Sequence, residues 1–121
     1  MSSKPIILAL NRNPKNLEIL TKILKEEGYD VMGALNQQKL EEFTSSTEKI
    51  DMAILDISGF NKTIWDSCEH LRVKKIPFLV LSPHQQKTVE KQGMLSGAKG
   101  VMTKPLAIKE LLFIIKNMID E

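Results

Sequence analysis

Cysteine is nearly missing from this chain: Cys68 is the only one in 121 residues. A lone thiol excludes an internal disulfide and a cysteine metal cluster, and Cys68 reads as a small core side chain. Aromatic residues amount to 5%, so Ile, Leu, Val and Met must fill the interior. An excess of one charge is also lacking, since 17 Lys and Arg against 15 Asp and Glu leave +2. With no dense basic run, nothing points to nucleic-acid binding by this domain. No apolar stretch approaches the ~18 residues of a membrane span, and the N-terminus lacks a secretory pattern. The expectation is a cytoplasmic protein without membrane contact. No Gly-rich phosphate loop follows the first apolar run, which argues against nucleotide binding. His70 and His84 have no partners at ligand spacing and read as surface or packing residues.

What remains is a regular alternation. Short apolar runs predict strands at Ile6–Leu10, Asp30–Ala34, Met52–Leu55, Phe78–Leu81 and Gly100–Met102. Three of them are nearly continuous, as expected where a parallel sheet is covered on both faces. Helical patterns lie between. Asn13 caps the first, with Pro14 at its first position, Leu17, Leu20, Ile23 and Leu24 inward, and Gly28 as its stop. Asn36 caps a second helix through Leu40 and Phe43. Ile64, Cys68 and Leu71 mark a third, with Trp65 at the core margin. A fourth runs from about Gln85 to Leu95, and the last begins near Ala107 with Ile108, Leu111, Leu112, Ile115 and Met118 inward. Five repeats of strand and helix over residues 1–121 predict one α/β domain with an open, doubly wound, five-stranded parallel sheet. In such sheets the functional crevice lies beyond the carboxyl ends of the strands. That edge carries Asn11 and Arg12, Asp56, Ser82, and Thr103 with Lys104.

Those residues carry a resemblance. "MAILDIS" with Asp56, "PFLVLSP" with Ser82 and "GAKGVMTKPL" with Lys104 and Pro105 resemble the receiver domains of bacterial response regulators, such as the chemotaxis regulators, along the whole chain. The resemblance implies a flavodoxin-like (βα)5 fold and a role in two-component phosphorelay signalling. It implies that Asp56 is the phosphoacceptor, attacking a phosphohistidine on a histidine kinase or phosphotransfer protein. Lys104 would pair with it, Ser82 would be the switch hydroxyl beside Thr103, and the bond before Pro105 would be cis. Ser58 would offer its backbone carbonyl to a divalent metal. Further partners implied are a downstream target or a fused output domain, and a homodimer through the fourth helix, fifth strand and fifth helix. Phe113, an aromatic on the polar face of the last helix, marks that partner surface.

The chain departs from the family where the metal should sit. Receivers place two acidic residues at the end of the first strand to hold Mg²⁺; here those places carry Asn11 and Arg12. One carboxylate, Asp56, then faces two cations, Arg12 and Lys104. Mg²⁺ seeks several oxygen ligands, one or two of them carboxylates, so Asp56 and Ser58 alone make a poor metal site, and no cofactor is expected. Arg12 is expected beside Asp56, either gripping a phosphoryl oxygen or forming a salt bridge that fixes one shape. The aromatic expected at the switch position is Val101, and "DISGFNKTIWD" lacks the usual proline. The reading is an atypical receiver, with a phosphorylation-independent pseudo-receiver as the alternative. An aspartyl-phosphate phosphatase would need a second acid at residue 58, where Ser58 stands, so no enzyme activity is expected.

Overall fold

The computed structural model describes residues 4–120. Strands and helices alternate as β1 (Ile6–Leu10), α1 (Pro14–Glu26), β2 (Asp30–Ala34), α2 (Gln37–Thr44), β3 (Met52–Asp56), α3 (Ile64–Val73), β4 (Phe78–Ser82), α4 (Lys87–Leu95), β5 (Gly100–Thr103) and α5 (Ile108–Ile119). All strands are parallel, in the order β2-β1-β3-β4-β5. The chain leaves β1 toward one edge of the sheet and returns to build toward the other from β3. The loops after β1 and β3 therefore diverge, and the crevice opens between them.

Strand side chains alternate between two apolar layers. Leu8, Leu10, Ala53, Leu55, Phe78 and Val80 pack under α2 and α3 with Leu40, Ile64, Cys68 and Leu71. Ile7, Met52, Ile54, Leu79 and Leu81 pack against Leu24, Leu111 and Ile115 of α1 and α5. β3 and β4 are buried along their whole length, which explains their unbroken apolar runs. Both run one residue further than expected, as does β5, so Asp56, Ser82 and Thr103 sit inside their strands' last pairings.

Helix starts follow local chemistry. The Asn13 side chain accepts from the N–H groups of Lys15 and Asn16, and Pro14 holds the first helical position. Asn36 caps α2 by accepting from Lys39. α4 has no side-chain cap and begins at Lys87, two residues later than expected. Trp65 is half-buried against the α2/α3 layer. In α5, Leu111 and Ile115 are buried and Leu112 and Met118 half-buried. Ile108 was expected inward, but at the first position of α5 it is exposed and lines an open cleft with Ile19 and Ile23. Among the described residues no helix is long and apolar enough to cross a membrane.

Candidate functional site

Strand register places the central pair. Leu10 lies opposite Leu55, so the next step puts Asn11 beside Asp56. The Asn11 N–H still donates to the Ala34 carbonyl at 3.0 Å, which carries the strand geometry one residue past β1. Alternation then turns Asn11 and Asp56 the same way, toward the α1/α5 side shared by Ile54 and Met52. Asp56 is 3% exposed and Asn11 7%.

A buried carboxylate needs its oxygens satisfied, and here they are. Asp56 Oδ1 accepts the Ser58 N–H at 3.0 Å. Its Oδ2 accepts Asn11 Nδ2 at 3.1 Å and Lys104 Nζ at 2.5 Å. Asn11 Oδ1 in turn accepts the Asn13 N–H at 2.8 Å, which fixes the amide with its NH₂ toward Asp56. An amide thus donates where a second carboxylate would repel. Lys104 also donates to Ser58 Oγ at 3.0 Å, and its backbone N–H is held by the Ser82 carbonyl at 2.9 Å. The peptide bond from Lys104 to Pro105 is cis.

Arg12 is placed differently from the salt bridge considered above. Among the described residues the ion-pair partner of Asp56 is Lys104, and Arg12 Nη1 instead donates to the Gly59 carbonyl at 2.6 Å. The alternation that turns Asn11 toward Asp56 turns the next side chain away, across the β3–α3 loop. Arg12 is exposed, yet it still lines the crevice with Ser58 and Lys104. Gly59 makes this path available. Its φ is +80°, and a Cβ there would lie 3.1 Å from Arg12 Nη1 and 3.2 Å from its Cδ. Sequence reasoning passed over Gly59, although a glycine three residues past a strand-end aspartate is a recognisable turn signal.

The remaining residues divide between contact and distance. Ser82 shares the strand face of Phe78 and Val80, and its Oγ donates to the His84 carbonyl at 2.7 Å. Its hydroxyl is therefore engaged with the loop after β4. Thr103 lies opposite Ser82 in the β4–β5 register. Val101 packs inward with the α2/α3 layer, close to Gly93 of α4. Phe113 is 68% exposed on α5, away from this edge. Burial pushes the Cys68 thiol up to about 12, so it is no nucleophile. On the α1/α5 side a second cleft begins at Asp56 and continues over Ile19, Leu20, Ile23 and Leu106. In the sequence Ile23 reads as an inward helix position beside Leu24; in the fold it is half-buried and lines this apolar extension.

The response regulator receiver domain family matches residues 7–116. The chain belongs to this receiver family. Its similarity to a probable transcriptional regulatory protein from Picosynechococcus is 32% identity over 120 residues, covering 93% of this chain and 48% of that protein. The heme response regulator HssR of Staphylococcus saprophyticus is 26% identical over 113 residues, covering 93% and 50%. The chain thus spans about half the length of these curated relatives. A CheY-like receiver domain from Methanospirillum hungatei superposes with a TM-score of 0.88 at 21% identity, covering 98% of this chain and 95% of that one. The receiver fold is thereby established.

Proposed function

We propose that this receiver takes a phosphoryl group on Asp56 in a pocket poorly suited to Mg²⁺, so that phosphorylation is slow and carried by protein cations. The supporting observation is the buried Asp56 carboxylate held by Lys104, Asn11 and the Ser58 N–H at the crevice. In the reaction an Asp56 oxygen attacks phosphorus of a phosphohistidine, or of a small acyl phosphate. The bond to the imidazole or carboxylate breaks, and an acyl phosphate remains. The product carries about −2 near pH 7, against Lys104 and the Arg12 guanidinium. Phosphoryl transfer depends on positioning and on cations that neutralise the moving charge. Lys104 is in place for this, and Arg12 lines the same crevice with one N–H on the Gly59 carbonyl.

A magnesium ion fits these residues badly. Each Asp56 oxygen already accepts a hydrogen bond, and both neighbours on the first strand's extension are nitrogen-bearing side chains. The ion would need several oxygens in octahedral array beside a guanidinium. Asn11 and Arg12 thus stand as replacements of the family's acidic pair. Hydrolytic turnover has no general acid at Ser58, so the domain acts as a signalling module and not as an enzyme.

A second reading is favoured by one contact. The Arg12–Gly59 bond ties the two crevice loops together without any modification, and Val101 provides no aromatic switch. In that pseudo-receiver the fixed surface itself binds partners. Donor and target would be a histidine kinase or phosphotransfer protein and a downstream protein or fused output domain, all in the cytoplasm. The α4, β5 and α5 face with exposed Phe113 is the proposed partner or homodimer surface.

Incubation with acetyl phosphate, with and without Mg²⁺, followed by intact-mass measurement, separates the readings. Slow gain of one phosphoryl group, independent of metal and lost in Asp56→Asn, is expected. Fast labelling only with Mg²⁺ overturns the metal-poor pocket, and no labelling under either condition leaves the pseudo-receiver.

A further inference from the structure

We infer that the cleft between the β1–α1 and β3–α3 loops is a metal-independent binding site for a small tetrahedral oxyanion of the phosphate or sulfate class, gripped by Arg12 and Lys104. The cleft is an open space of about 460 Å³. Its lining is one-sided in charge. Arg12 and Lys104 are its only charged side chains; the polar remainder is Asn11, Asn13, Asn16 and Ser58, and no carboxylate lines it. Asp56 opens instead toward the neighbouring cleft on the α1/α5 side, with both oxygens already accepting hydrogen bonds.

A donor inventory shows what an anion would meet. Arg12 has five N–H donors in a planar fork, and its recorded bond uses one on the neutral Gly59 carbonyl. Lys104 has three, of which one serves Asp56 and one Ser58 Oγ. Asn11 spends one amide hydrogen on Asp56 and holds a second. The Asn13 oxygen is occupied by capping α1, so its NH₂ group is the part left to face a ligand. These groups are positioned by buried structure: Asn11 is 93% buried by its 7% exposure and locked at both ends. The Lys104 charge is balanced by Asp56, which leaves the Arg12 charge without a carboxylate inside the cleft. A bidentate guanidinium contact to a tetrahedral oxyanion supplies that balance. The N-terminus of α1 opens on the same space and adds favourable potential for negative charge.

This inference shares Lys104 with the phosphoacceptor reading but needs no covalent step at Asp56. Inorganic phosphate is therefore the probe, since it lacks the leaving group that acylation of Asp56 requires. Backbone amide shifts are followed by ¹⁵N NMR as phosphate is added, in EDTA and again in Mg²⁺. Saturable shifts confined to residues 11–13, 15, 16, 58–60 and 104 are expected, equal in both buffers and weakened by added salt. Arg12→Ala should weaken binding about fivefold or more, from the loss of a charge-assisted contact at an exposed site, with the dispersed spectrum of a folded chain. Shifts scattered over the surface lysines would mean an adventitious ion only; that outcome, binding that requires Mg²⁺, or undiminished binding in Arg12→Ala would each overturn the site. Acetyl phosphate labelling of Asp56 without phosphate binding would defeat this inference and leave the phosphoacceptor reading standing.

Discussion

One step along an extended chain reverses the direction of a side chain, and at residues 11 and 12 that reversal divides the labour of the crevice. Asn11 points to Asp56 and gives it a hydrogen-bond donor; Arg12 points across the loop and ties it at Gly59. Two substitutions test how the buried Asp56 carboxylate is held. Lys104→Met removes the cation from a carboxylate that is 3% exposed, and should lower stability by about 1–3 kcal/mol, read as the urea midpoint. Asp56→Asn in the same background should recover part of the loss, because no buried charge then remains. Cys68 gives a separate test. Its thiol rises from 9.0 to about 12 in the fold. The protonated form is thus favoured when folded, so this stabilisation is whole below pH 9 and is lost between pH 9 and about 12. Thiol reagents at neutral pH should accordingly label the chain only after unfolding, and rapid labelling of the native protein would contradict the placement. At this scale the sequence identified Asp56, Lys104, Asn11 and Arg12 as neighbours of one edge. It did not show which way Arg12 turns, because that depends on how far strand geometry persists beyond Leu10 and on the room left by Gly59.

Elements pack here through small residues at close approaches. Gly93 of α4 faces Val101 of β5, and a Cβ on Gly93 would lie 2.8 Å from Val101 Cγ2. Gly93→Ala should therefore push α4 off the sheet and cost about 1–3 kcal/mol. Pairing it with Val101→Ala should restore much of the loss, a coupling readable in a double-mutant cycle. At the start of α1, Asn13→Ala removes acceptors from the Lys15 and Asn16 N–H groups and should cost about 1 kcal/mol. The elements themselves were legible because β3 and β4 are apolar throughout and α1 carries both cap and proline. The ends of strands were less so: Asp56, Ser82 and Thr103 are polar residues drawn into the ladder by their neighbours' pairing. Ser82 shows the consequence, since its place on the Phe78 face directs it to His84 and not to Asp56.

At the scale of the molecule, the strand order brings residues far apart in sequence to one edge. Residues 11, 56 and 104 meet because β1 and β3 are adjacent at the centre and β5 closes one side. The doubly wound sheet followed from alternation and length, and the receiver family from the motifs around Asp56, Ser82 and Lys104, whereas the charge of the crevice follows from Arg12 and Lys104 against Asp56. Replacing one of them should shift the balance: Arg12→Asp would set a second carboxylate near Asp56 and favour a divalent ion. The central claim is that the crevice of the native chain is adapted to anions and not to magnesium. Its most direct test is a Mg²⁺ titration followed by amide NMR, on the native protein and on Arg12→Asp. No saturable response at residues 11, 12, 56 and 58 of the native chain is predicted, with a saturable one in Arg12→Asp. Saturable Mg²⁺ binding at those residues in the native protein would contradict the account.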